Sequence, residues 1–355
     1  MKILEVGIGP NLGGIEVYFH NYYKHISSDF HFDFADKEGG LFFADEYISN
    51  GSNVFHMPDF KTHPLKYYNT IKKILRDGQY DAIHINMLSA ANILPVISGY
   101  FAKIKVIIHS HNSGVPHGIL RRVLHTVNKP LLNLADMRVA CSERAGKWLF
   151  GKKDFTIIPN AIDLSVFCLN NNIRQEYRNK LGYSDNDLVI GHVGRFAEQK
   201  NHEFLISVFS KLSNKSDNYK LLLIGDGELK KQIISKAESL GLSDRVAFIG
   251  SVDNVPDYMQ AMDLFVLPSL FEGLPVTGVE SQACGLPCVF SLNISKEVKM
   301  TDNVEFVPLE DKDKWVATIE KMIKLPKSDN TEKIRGAGYD INETAKQLEN
   351  IYLSR

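Results

Sequence analysis

Glu272 and Glu280 bracket a short turn, Gly273-Leu274-Pro275-Val276, with seven residues between the two carboxylates. The turn follows the apolar run 263–269 and opens a predicted helix over 275–284, with Pro275 suited to its first turn and Gly285 to its end. Free backbone N–H groups and the helix dipole favour an anion at such a start, typically a phosphate. A carboxylate beside a phosphate is repelled. Glu272 and Glu280 are therefore expected to accept hydrogen bonds from sugar or ribose hydroxyls. A second pair supplies the countercharge: the apolar strand 188–194 ends at Gly194 and delivers Arg195, then Lys200. Two cations beside a glycine suit two neighbouring phosphates, the arginine as a fork and the lysine as a mobile point charge.

Two further stretches end apolar runs with polar residues, the place where open α/β sheets bind ligands. One is 105–112, which closes on His109-Ser110-His111-Asn112. As a metal pair His109 and His111 have no third ligand nearby, and their rings are expected to point apart; no metal is implied. The other is the loop 7–16, which contains Gly13 and Gly14. Small residues between a strand and a helix let a backbone approach a diphosphate. The loop is not a Gly-x-Gly-x-x-Gly fingerprint, because position 12 is Leu and the third glycine comes late. That counts against a nicotinamide dinucleotide enzyme. Asp185-x-Asp187 and Asp311-x-Asp313 follow no apolar strand and read as surface acids. Asp226 and Glu228, in a glycine turn after the strand 219–225, read as structural.

The elements that must position these residues are legible as short apolar runs alternating with amphipathic segments. Strands are predicted at 2–7, 31–35, 53–57, 81–85, 105–109 and 137–141, with helices at 14–27, 66–77 and 89–102. A second series has strands at 155–158, 188–194, 219–225, 245–249, 263–267 and 287–290, with helices at 200–213, 228–240, 255–261 and 275–284. Two successive β/α series imply two doubly wound domains. The expected division is 1–163, 164–338 and a last helix within 339–355, whose apolar residues Ile341, Ala345, Leu348 and Tyr352 recur at helical spacing. The polar stretch 168–187 reads as a linker or decoration. Residues 118–129 mix apolar and basic side chains at helical spacing, which fits a membrane-surface face or a solvated helix packed on the core.

At 355 residues, 44% hydrophobic and 23% charged, the chain suits two soluble domains. A net charge of −1 gives no whole-molecule field for nucleic acid. The four cysteines form no Cys-x-x-Cys pair and no disulfide framework, which fits a reduced, cytoplasmic setting. The chain opens as a strand and not as a signal peptide. The run 90–102 is too short to cross a bilayer, so membrane contact is expected to be peripheral.

The acids in Phe271-Glu272-Gly273-Leu274-Pro275 and Glu280-Ser281-Gln282-Ala283-Cys284-Gly285, with Gly194-Arg195 through Lys200-Asn201 and Gly13-Gly14-x-Glu16, resemble the signature of family-4 retaining glycosyltransferases. The resemblance implies the GT-B fold: two facing Rossmann-like domains, the first binding the acceptor and the second the nucleotide sugar, with a C-terminal helix crossing back to the first. In that family this Arg and this Lys grip the donor diphosphate. A histidine at the end of the strand before 112 faces the donor sugar, and His111 fits that place better than His109. It could donate a hydrogen bond to a sugar hydroxyl or stabilise charge at the reacting carbon. The resemblance assigns Glu280 to the ribose, Glu272 to the sugar, and Gly13 and Gly14 to making room for diphosphate and acceptor. It implies a metal-independent reaction without a cofactor, the nucleotide sugar, a UDP-sugar, being a co-substrate. The stretches 109–112 and 140–143 look like members that build exopolysaccharide or capsule. That implies a lipid-linked glycan acceptor at the inner face of the cytoplasmic membrane. A protein O-glycosyltransferase, or a non-catalytic sugar-binding subunit, is the alternative.

Overall fold

The computed structural model describes every residue except 12, 37, 38, 113, 115–117 and 355. Position 12, on which the reading of the first loop partly turned, lies outside the described residues. The chain divides into two compact units, Met1–Ala161 with Ile341–Arg355, and Ile162–Asp340. The cuts fall two residues from those expected at each junction. The reason is local: Ile162 N–H donates to the Tyr339 carbonyl at 3.0 Å and Ile162 pairs with Asp340. The chain thus enters and leaves the second unit side by side.

In the first unit seven parallel strands form one sheet: β1 (Lys2–Val6), β2 (His31–Ala35), β3 (Val54–Phe55), β4 (Ala82–Met87), β5 (Lys105–Ser110), β6 (Met137–Ala140) and β7 (Thr156–Ile157). Their order is β3-β2-β1-β4-β5-β6-β7. The second unit has β8 (Leu188–Val193), β9 (Tyr219–Ile224), β10 (Val246–Gly250), β11 (Leu264–Leu267), β12 (Cys288–Ser291) and β13 (Val304–Val307), ordered β10-β9-β8-β11-β12-β13. Two predicted assignments change. The run 155–158 belongs to the first sheet, because Thr156 and Ile157 pair with Val139 and Ala140. The stretch 168–187 contains the helix Asn171–Lys180. That helix is held by charge more than by an apolar stripe: Arg178, 2% exposed, donates to the Ala261 and Asp187 carbonyls and to Asp263, and Arg174 joins Asp263 at 2.6 Å. The strand Val304–Val307 was not anticipated.

Both sheets reverse their strand order beside their first strand, between β1 and β4 and between β8 and β11. These are the switch points outside which doubly wound sheets bind ligands. Buried apolar residues cover both faces of each sheet, as parallel strands require. The last helix, Ile341–Leu353, belongs to the first unit. Its Ile341, Ala345, Leu348, Ile351 and Tyr352 are buried with Tyr18, Phe19 and Tyr22 of the helix Gly14–His25.

Candidate active site

In the second unit the expected donor residues gather at the switch point. β8 ends at Val193 and β11 at Leu267, and the loops that follow bring Lys200 and Glu272 together. Lys200 Nζ lies 2.6 Å from Glu272 Oε1, with 17% and 12% of the two side chains exposed. Ser269 Oγ donates to the same oxygen at 3.2 Å. Glu272 Oε2 has no partner among the described residues and is open to accept a hydrogen bond. A lysine ammonium has three hydrogens. Lys200 can therefore keep Glu272 and still donate twice to a phosphate. Arg195 stands apart: its guanidinium is 71% exposed and pairs loosely with Glu228 at 3.2 Å. An exposed pair of this kind is worth about 0–1 kcal/mol, so an arriving phosphate displaces it at little cost.

The loop that carries these cations is fixed by a glycine contact. Gly225, after β9, sits at φ +133°, and a Cβ there would lie 2.2 Å from the Gly194 carbonyl oxygen. Only glycine allows the two loops to approach so closely.

The helix after Glu272 spans Val276–Ala283, with Pro275 as the residue before its first turn and Gly285, φ +81°, just past its end. Pro275 is thus one residue outside the helix and not in its first turn. Thr277 Oγ1, buried in this first turn, has no partner among the described residues. Its hydroxyl and the N–H groups beside it form a neutral donor set of the kind that receives phosphate. One turn on, Glu280 is half-buried and its carboxylate has no partner among the described residues. Burial raises its pKa to about 7, with Lys200 pulling the other way. A carboxylate so poorly satisfied by protein is ready to accept from ligand hydroxyls.

In the first unit the same switch point is pinned by Gly7, φ +99°, whose Cβ would lie 2.3 Å from the Asn86 carbonyl oxygen. Gly13 precedes the helix Gly14–His25, and a Cβ there would meet its own Glu16 carboxylate at 2.9 Å. Glu16 in turn accepts from Gly9 N–H at 2.9 Å. A side chain at Gly13 would therefore crowd the Glu16 carboxylate, whereas Gly14 faces open space. The rings of His109 and His111 do not point apart. They stack at 4.2 Å between centroids, because alternate residues of a strand share a face. His109 is fully buried and meets Tyr18 Oη at 3.2 Å and His84 Nε2 at 3.3 Å. His111 is half-open, and its Nε2 bonds Asn86 Oδ1 at 2.8 Å. Burial, then the neighbouring His84, lowers the pKa of His111 to about 3, so its imidazole is neutral.

Beneath His111 lies a buried polar ring that sequence reasoning missed. Glu5 Oε1 is 2.8 Å from His84 Nδ1, both side chains having no exposed surface. Glu5 Oε2 accepts from Asn86 Nδ2 at 2.9 Å, and Tyr352 Oη from the last helix meets His84 Nδ1 at 2.8 Å. Polar residues inside predicted strands 2–7 and 81–85 were the only signal for it. Beside this ring, at the carboxyl ends of β1 and β4, a cavity of about 320 Å³ is lined by Asp36, Asn86, Ser89 and Arg121 with Met57 and Phe60. Arg121 Nε is buried without a partner among the described residues.

The helix Ile119–Asn128 packs inward by one side and is exposed on the other. Its inward side is Arg121, Leu124, His125 and Asn128, with His125 stacked on Trp148 at 4.7 Å. Its outward side is apolar: Ile119, Leu120, Val123 and Val127 are each more than half exposed. Asp187 and Asp311 accept from local backbone N–H groups, Asp187 from Ser184 at 2.7 Å and Asp311 from Lys314 at 2.8 Å. No helix among the described residues is long and apolar enough to cross a membrane.

Comparison with known proteins agrees with this geometry. The family described as "Glycosyltransferase Family 4" matches residues 12–166, and "Glycosyl transferases group 1" matches 173–339. The chain is 31% identical to the putative glycosyltransferase EpsF of Bacillus subtilis, covering 99% of this chain and 96% of that one. It is 25% identical to the UDP-Gal:alpha-D-GlcNAc-diphosphoundecaprenol alpha-1,3-galactosyltransferase of Escherichia coli, over 99% of this chain and 97% of that one. Among solved structures, Anabaena HepE in complex with UDP and glucose superposes with a TM-score of 0.79 at 20% identity, covering 100% of both chains. WaaG, a glycosyltransferase of lipopolysaccharide biosynthesis, gives 0.72 at 15% identity, over 99% of this chain and 100% of that one. The chain is a glycosyltransferase of the family-4, group-1 kind, with the GT-B fold.

Proposed function

We propose that this enzyme is a retaining glycosyltransferase that moves a sugar from a UDP-sugar to a lipid-linked glycan during assembly of an exopolysaccharide or capsule. The observation that carries the donor half is the Lys200–Glu272 pair at the switch point of the second unit, with the unpartnered Thr277 hydroxyl and Glu280 carboxylate on the helix that follows Glu272. Lys200 and Arg195 neutralise the diphosphate as it departs. Thr277 and the helix start hold a phosphate, Glu280 takes the ribose hydroxyls, and Glu272 Oε2 takes a sugar hydroxyl. These contacts accelerate transfer to the extent that they tighten as charge develops on the leaving group. A HepE structure holding UDP and glucose supports the choice of donor class.

The acceptor half rests on the first unit. The 320 Å³ cavity pairs an apolar wall with Arg121, which suits a sugar joined to lipid through phosphate. The outward apolar face of Ile119–Asn128, with the exposed Arg122 beside it, would rest on an anionic bilayer next to that cavity. The names of two relatives point the same way, the diphosphoundecaprenol galactosyltransferase and the capsular polysaccharide glycosyltransferase CapH of Staphylococcus aureus. The test is a panel of nucleotide sugars, read first by thermal shift and then by transfer to a prenyl-diphosphate-linked sugar or to a soluble glycoside. A UDP-sugar should stabilise the protein, and the lipid-linked acceptor should be used in preference. Stabilisation by no nucleotide sugar, or faster transfer to the soluble glycoside, would overturn the donor and acceptor halves respectively.

A further inference from the structure

The hydrogen-bond chain that ends at His111 has a direction. Asn86 Nδ2 lies 3.3 Å from the Val6 carbonyl oxygen and 2.9 Å from Glu5 Oε2. A backbone carbonyl only accepts, so the nitrogen of the Asn86 amide is on that side and its oxygen is the atom facing His111. That oxygen also only accepts. The hydrogen in the 2.8 Å contact therefore belongs to His111 Nε2. Because the imidazole is neutral, its Nδ1 is left as a bare lone pair, and Nδ1 has no partner among the described residues.

We infer that His111 meets the substrate as a hydrogen-bond acceptor, through Nδ1, and that Asn86, oriented by Glu5, is the positioning residue that sets this tautomer. The sequence-based expectation was the opposite, a histidine that donates or carries charge. The inference rests on the proposed function in one respect: the group that His111 accepts from is a hydroxyl of the bound sugar. A hydroxyl can donate to this lone pair and an ether or carbonyl oxygen cannot, so the site selects a substrate that bears a donor there. Glu5 and His84 are held in place by Tyr352, the residue by which the C-terminal helix reaches into the ring.

The test is nuclear magnetic resonance of the full chain labelled with nitrogen-15 histidine, the His111 signals being assigned by their loss in His111→Gln. The wild type should show hydrogen on Nε2 and a bare Nδ1. Asn86→Ala should lose this preference and fall into a mixture of tautomers, with kcat/KM down on the order of 10-fold or more, as expected when a reacting partner is mis-set. If Asn86→Ala does not fold, Asn86→Ser, whose hydroxyl can rotate to donate or accept, should weaken the preference in the same sense. Hydrogen on Nδ1 in the wild type, or an unchanged tautomer in the variants, would overturn the inference. The two readings fail separately. A wild type with the expected tautomer but no turnover of any nucleotide sugar would sink the functional proposal alone. An active enzyme with hydrogen on Nδ1 would sink only this one.

Discussion

Replacing Glu280 with glutamine should stabilise the protein in alkaline solution while disabling it. Burial raises the Glu280 carboxyl from 4.5 to about 7. Below pH 4.5 both the folded and the unfolded chain hold the proton, and the group costs nothing. Between 4.5 and 7 the unfolded chain releases the proton first, so stability falls as pH rises. Above 7 the full difference is present, ~3 kcal/mol for a rise of this size. Glutamine carries no charge to bury, so Glu280→Gln should recover ~3 kcal/mol at pH 8 and under ~1 kcal/mol at pH 5. For a domain of this size that is roughly 6–12 °C in Tm at pH 8. Adding UDP should reverse the ranking, because ribose hydroxyls satisfy the carboxylate of the wild type and suit the amide less well. The assay is thermal unfolding at both pH values with and without UDP. A Tm difference that is the same at pH 5 and pH 8, or that favours the wild type at pH 8 without ligand, would refute the reasoning.

Three further outcomes follow from the geometry. Lys200→Ala should lower turnover by roughly 10²–10³, the scale of one preorganised charge contact, and should push Glu280 higher still, moving the rising limb of the pH–rate profile upward; wild-type turnover would remove Lys200 from the diphosphate. Tyr352→Phe removes the buried hydroxyl shared by His84 Nδ1 and the Glu5 carboxylate and should cost about 1–3 kcal/mol in chemical denaturation, whereas no loss would mean that the last helix does not close the ring. Gly225→Ala forces a Cβ against the Gly194 carbonyl at a positive φ and should cost ~2–4 kcal/mol with weaker UDP binding; a change under ~0.5 kcal/mol would show that the loop carrying Lys200 is not set by that contact.

Most strands were legible because parallel strands are buried on both faces and read as unbroken apolar runs, such as Leu221–Ile224 and Leu264–Leu267. What the runs do not encode is partnership. Thr156-Ile157 looked like the start of a second series because nothing in a two-residue strand says that it pairs with Val139 and Ala140. The helix Asn171–Lys180 was missed because its inward contacts are guanidinium groups reaching Asp263, almost ninety residues away. The same limit governs the site. Glu272, Glu280, Arg195 and Lys200 stood out by spacing and local chemistry, but the direct bond from Lys200 to Glu272 spans 72 residues and was invisible. The ring under His111 joins Glu5, His84 and Tyr352, the last two 268 positions apart in the chain. Each of these side chains reads alone as an ordinary polar residue in a strand or helix, and only the fold makes them one network.

The central claim is transfer with retention from a nucleotide sugar held by Lys200, Glu272 and Glu280. The most direct measurement is the anomeric configuration of the product, read from its proton coupling constants before it can equilibrate, with the UDP-sugar that stabilises the wild type as donor. An α-linked donor should yield an α-linked product, and Lys200→Ala should abolish its formation. A β-linked product, or an undiminished yield from Lys200→Ala, would contradict the account.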